Sequence, residues 1–133
     1  MTRHAQGTFE VTITPQPLEG VGDPSVGRMI IEKQYHGELQ GSSKGQMLAV
    51  GTPIDGSAGY VAMERVIGSV HGRHGSFALQ HHGILNRGTP QLSVTIVPDS
   101  GTDALAGIAG RLEITVAEGE HAYLLDYTLP DLP

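Results

Sequence analysis

The chain contains no cysteine, which excludes a disulfide framework, a thiolate metal site and a cysteine nucleophile. A reducing, cytoplasmic setting is the location this fits. Tryptophan is also absent, and with 4 Tyr and 2 Phe there is no set of aromatic faces on which nucleic-acid bases stack. Lys and Arg together number 8 against 14 Asp plus Glu, giving a formal charge of −6. A nucleic-acid partner, held mainly through phosphates by clustered basic residues, is therefore not expected. No apolar run approaches the ~20 residues of a membrane helix, and the opening residues 1–7 hold no signal-peptide core. The expectation is a soluble protein without a membrane partner.

What the chain does have is glycine: 19 Gly and 8 Pro in 133 residues. The glycines punctuate short β-branched runs instead of forming tracts, as in an all-β chain with tight turns and bulges. The length fits one domain, residues 1–133. Period-two alternation, the mark of a half-buried strand, is clean in three places. Phe9, Val11 and Ile13 alternate with polar residues over 7–14, Leu92, Val94 and Ile96 over 91–97, and Leu112, Ile114 and Val116 over 111–116. Five further β-like runs cover 28–36, 44–50, 58–67, 76–82 and 121–129, with turn-forming residues between them. No stretch has helical periodicity with a cap.

An internal similarity supports an antiparallel arrangement. Glu32-Lys33 precedes Gly37-Glu-Leu-Gln-Gly41, and Glu64-Arg65 precedes Gly68-Ser-Val-His-Gly72, so two alike hairpins are expected with these glycine segments as turns. No strand carries the inward charge or internal proline that blunts an exposed edge. Closure is the remaining way to remove edges, which favours a closed antiparallel barrel of about eight strands over a sandwich.

Several segments resemble a bacterial family of small proteins of unknown function. They are Lys33-x-Tyr35-x-Gly37-x-Leu39-x-Gly41-x-Ser43-x-Gly45, Tyr60-Val-Ala-Met-Glu-Arg65, Gly72-Arg-His-Gly-Ser-Phe-Ala-Leu-Gln-His81, Ser100-Gly-Thr102, Leu105-Ala-Gly107, Gly110 and His121-x-Tyr123-x-x-x-Tyr127. Asp103 stands where the resemblance leads one to expect glycine. The likeness spans nearly the whole chain. It implies a fold similar to the eight-stranded allene oxide cyclase barrel with its central cavity, and it implies no activity.

Motifs with established chemistry mostly fail. Gly41-Ser-Ser-Lys-Gly45 matches the G-x-S-x-G pattern, but a nucleophile elbow needs a strand before the serine and a helix after it. Here strands flank both sides, so a hairpin turn is expected. Seven histidines suggest metal, yet His81 and His82 are adjacent on a strand and point to opposite faces. No metal site and no cofactor are expected.

The candidate site is the inward face. If Phe77 and Leu79 face the lumen, His81 does too, and Tyr123 and Tyr127 share a face of the last strand with Leu125. Over 58–67 the set Tyr60, Ala62, Glu64, Val66 competes with Val61, Met63, Arg65, Ile67; the pattern alone leaves open which lines the lumen. The ligand-binding candidates are therefore His81, Glu64, Arg65, Tyr60, Tyr123 and Tyr127. These are polar tips on an otherwise apolar lining, as in a small-molecule pocket. Three functions follow: binding of a small, largely apolar molecule; an isomerase or cyclase acting on one, with His81 as acid or base; or a structural module with a filled lumen. The two-sided apolar strand at 61–67 further suggests a homo-oligomer.

Overall fold

The period-two runs become eight antiparallel strands in the computed structural model, which describes residues 2–17, 20 and 22–130. They are β1 (Arg3–Pro15), β2 (Gly27–Gly37), β3 (Leu39–Gly51), β4 (Ala58–Val70), β5 (Arg73–Asn86), β6 (Thr89–Ile96), β7 (Ala109–Ala117) and β8 (Glu120–Thr128). Each pairs with its sequence neighbour, and β8 returns to β1, closing an up-and-down barrel. A 3₁₀ turn, Asp103–Leu105, interrupts the β6–β7 connection. Among the described residues no helix is long and apolar enough to cross a membrane.

The strands run longer than their alternation predicts, because most of each glycine segment expected as a turn lies inside them. The β2–β3 reversal needs only Gly37 and Glu38, and the β4–β5 reversal only His71 and Gly72. Gly37 takes φ +108° and Gly72 +79°, which side chains rarely adopt. Gly41 and Gly68 instead face each other in the β3–β4 ladder. A methyl group on Gly41 would stand 2.8 Å from the Cα of Gly68, so these glycines serve close strand approach. Gly41-Ser-Ser-Lys-Gly45 likewise lies within β3 and is no turn, and Ser43 faces the interior as a buried strand residue.

Alternation sorts each strand into a lumen face and an outer face. On β4 the lumen receives Tyr60, Ala62, Glu64 and Val66, whereas Val61, Met63, Arg65 and Ile67 face outward. The interior is filled at only one end. Tyr35, Leu39, Val70, Phe77 and Leu125 pack there, and Leu105 and Ile108 from the 3₁₀ connection close it like a plug. Asp103 begins that connection at φ +53°, a conformation natural to the glycine expected there. The opposite end, where the β1–β2, β3–β4, β5–β6 and β7–β8 connections gather, is open.

Closure is uneven around the wall. β3 and β4 pair continuously from Leu39↔Val70 to Gly51↔Ala58. β6 and β7 pair only at Thr95↔Arg111.

Candidate functional site

The open half encloses a cavity of about 540 Å³. Its walls are apolar side chains such as Val11, Ile31, Met47, Leu92 and Ile114, and its polar lining includes Lys33, Tyr60 and His81. The hollow has a sequence origin: Ala49, Ala58, Ala62 and Gly83 occupy lumen positions where the closed half carries Tyr, Phe or Leu.

Beneath the cavity, one layer of the barrel converges on Glu64, whose side chain is fully buried. Lys33 and Tyr35 come from β2, Ser43 from β3 and His81 from β5. Glu64 Oε1 accepts from Lys33 Nζ at 3.2 Å, from the Tyr35 hydroxyl at 2.8 Å and from His81 Nε2 at 3.2 Å. Its Oε2 accepts from the Ser43 hydroxyl at 2.9 Å. With Nε2 donating to Glu64, Nδ1 of His81 is left facing the Tyr60 hydroxyl at 3.4 Å. Lys33 Nζ also lies over the Phe9 ring, 4.9 Å from its centroid. Among the described residues no buried side-chain polar atom lacks a partner.

These partners set the charges. Burial would raise the Glu64 pKa, but the hydrogen bond from His81 and the charges of Lys33 and His81 outweigh it and bring the carboxyl to about 2. Burial pushes the Lys33 ammonium below the usual lysine range, with Glu64 pulling partly the other way. Burial and then the nearby Glu64 charge hold the Tyr35 phenol well above its ordinary range. The carboxylate is thus ionised and enclosed, while the Lys33 amine, the His81 imidazole and the Tyr60 phenol edge the cavity above it. That arrangement can hold an apolar body in the cavity and address one polar group at its base. Among the described residues no three His, Cys, Asp or Glu side chains are grouped to hold a metal ion.

Of the residues expected from sequence, His81, Glu64 and Tyr60 come together. Arg65 does not join them. It follows Glu64 on the strand, so it points outward, with its guanidinium 3.5 Å from Ser76 Oγ and 3.4 Å from the Ser100 carbonyl oxygen. Tyr123 and Tyr127 face inward but in the closed half. The Tyr123 hydroxyl accepts from the Leu39 N–H and lies 2.9 Å from the carbonyl oxygens of His36 and Leu39, pinning the β2–β3 reversal. Tyr127 bonds His71 at the closed rim, and His71 in turn reaches Glu38. Lys33, Tyr35 and Ser43 were missed as site residues. The signal for the first two was present, since they share the parity of Ile31 on β2; His121, which lines the mouth against Phe9, shares that of Tyr123 on β8.

Comparison with known proteins gives a family and a structural neighbour. Residues 5–127 match the family model described as protein of unknown function, DUF3224. A crystal structure of a protein of unknown function from the DUF3224 family of Shewanella oneidensis MR-1 is similar at a TM-score of 0.90. The two chains are 38% identical, and the match covers 98% of this chain and 100% of that one. No curated protein matches.

Proposed function

The chain belongs to the DUF3224 family, and we propose that it binds a small, largely apolar molecule in the open half of its barrel. The observation that carries this reading is the half-filled lumen: packed side chains at one end, an apolar cavity over a polar base at the other. Its volume lies within the range of about 300–1,000 Å³ usual for small-ligand sites. Ile13, Leu85, Leu92 and Val116 line the mouth yet stand 37–62% exposed, an apolar rim that an occupant would cover. A module with a filled lumen would have no use for either feature. In this reading the protein works in the cytoplasm.

An isomerase or cyclase of the allene oxide cyclase kind is the second reading. What favours it is His81, which lines the cavity and is held from behind by Glu64, the pairing of an acid–base group with its orienting partner. Turnover of a bound ligand separates it from simple binding.

Uptake of Nile red, an apolar dye that brightens and shifts to the blue out of water, tests the binding reading. The wild-type protein takes it up saturably. Ala62→Phe, which directs a ring into the cavity, abolishes uptake while the unfolding midpoint holds. Equal uptake by both proteins, or none by the wild type, overturns the reading.

The outer face of β4 completes the proposal. Val61, Met63 and Ile67 stand 49%, 50% and 63% exposed, beside Leu48 on β3 and Ile84 on β5. A second copy of the chain is the partner proposed for this face, since closed pairs of like surfaces are the commonest assemblies. Sedimentation shows a dimer that Met63→Glu dissociates; a monomer at all concentrations overturns it.

A further inference from the structure

The chain has two lysines, Lys33 and Lys44, and they occupy opposite environments. Lys44 is exposed on the outer face of β3. Lys33 is 8% exposed and lines the apolar cavity. An ammonium carries three N–H donors. Lys33 gives one to Glu64 at 3.2 Å, and the Phe9 and Tyr35 rings and the cavity also surround it. Lysines confined in this way, in an apolar pocket beside one carboxylate, are suited to attack carbonyl carbon.

We propose that Lys33 captures an apolar aldehyde or ketone in the cavity as a protonated imine, with Glu64 as its counterion. The inference rests on the binding reading and names the ligand class for that site. Lys33 first gives up a proton to the Glu64 carboxylate, whose Oε1 already accepts its N–H at 3.2 Å. The free amine then forms a C–N bond to the carbonyl carbon, and the C=O π pair moves to oxygen. That oxygen takes the extra proton from nitrogen, giving a carbinolamine. The proton held by Glu64 passes to the hydroxyl, the C–O bond breaks, and water leaves as the nitrogen lone pair forms C=N, with the carboxylate restored beside it. The balance is carbonyl plus ammonium giving iminium plus water, with no redox change.

The surroundings fit both ends of this step. One positive charge stands on the Lys33 nitrogen before and after, so the Glu64 pairing is kept. Burial already lowers the affinity of this amine for its proton, which supplies the nucleophile. The walls around it are apolar, so the departing water is not readily replaced and hydrolysis is slowed. Tyr60 lines the same cavity as Lys33 and brings a hydroxyl to it.

Reductive trapping tests the inference within one molecule. The wild-type protein is treated with octanal and sodium cyanoborohydride, and each lysine is followed by peptide mass mapping. The expected result is an octyl adduct at Lys33, forming at least about tenfold faster than at exposed Lys44. Lys33→Arg keeps the cation and loses the fast adduct. If octanal displaces the dye but labels Lys33 no faster than Lys44, the imine is overturned and binding stands. If no dye enters the wild-type cavity, the binding reading falls and takes the imine with it. Because Lys44 is the internal standard, the decision does not depend on the variant folding.

Discussion

Gly45 and Glu64 stand directly opposite in the β3–β4 ladder, and the missing side chain of one makes room for the other. A methyl group on Gly45 would lie 2.7 Å from the Cα and 2.8 Å from the Cβ of Glu64, and would fall on the Met63 carbonyl oxygen. The same arrangement recurs at the base of the cavity. Gly83 lies opposite Tyr60, whose ring covers the place a Gly83 side chain would need. Glycine on one strand thus seats a large polar residue on the next.

Gly45→Ala should therefore disturb the charged cluster through the backbone. The new methyl group meets main-chain atoms, which do not rotate away, so β3 has to part from β4. The expected cost is on the order of 1–3 kcal/mol, read as a lower urea midpoint at unchanged slope. An unchanged midpoint would show that the two strands separate freely at Gly45.

Acid should weaken the fold through Glu64. In the unfolded chain its carboxyl titrates at the ordinary value of 4.5, and in the barrel at about 2. Between these values the unfolded state binds more protons, so stability falls as pH falls. The contribution is complete above 4.5 and is lost on the way down to about 2, on the order of 3 kcal/mol in all. Replacing the pair together, Lys33→Met with Glu64→Met, removes both charges and should flatten this part of the profile. Urea midpoints measured from about pH 7 to about pH 2.5 compare the two proteins; identical slopes would show that Glu64 does not drive the loss.

The strands and their closure were legible because alternation is a local property of the chain, and Phe9-x-Val11-x-Ile13 shows it without help. Which face of β4 lines the lumen was not legible. Tyr60, Ala62, Glu64 and Val66 are no more apolar than Val61, Met63, Arg65 and Ile67, and the decision comes from partners on other strands. Glu64 turns inward where Lys33, Tyr35, Ser43 and His81 meet it, four residues scattered over three strands. Composition by itself also misassigned the glycines at 41 and 68, since close strand approach and a tight turn both select for a missing side chain. Tyr123 carried the parity of a ligand contact, but parity does not report height along the barrel axis.

That height gives Tyr123 a structural role with a distinct signature. Its hydroxyl meets the Leu39 N–H and the carbonyls of His36 and Leu39, each at 2.9 Å, far from the cavity lining. Tyr123→Phe leaves these buried groups short of a partner and should cost about 1–3 kcal/mol. Nile red uptake should not change. Arg65→Ala, on the outer wall, should likewise leave uptake unchanged; a loss of uptake in either variant would return that residue to the site.

The β6–β7 seam should be the weakest part of the wall. In a closed barrel each strand protects its neighbour's amides on both sides, and here one boundary is joined only at Thr95↔Arg111. A gap of about 350 Å³ lies between the strands, lined by residues that include Leu92, Val94, Leu112 and Ile114. Leu92 and Ile114 also line the main cavity, so the gap and the cavity share walls. Amides without a hydrogen-bonded partner exchange with solvent through small local openings, whereas those of a continuous ladder wait for larger ones. Hydrogen exchange should thus be fast for the seam-facing amides within 91–95 and 111–116 and slow along β3 and β4. An apolar molecule in the cavity would press on Leu92 and Ile114 from inside and slow exchange at the seam. Protection equal to that of β3 and β4 in the empty protein would mean that the two strands close on each other in solution, leaving the open end as the way into the lumen.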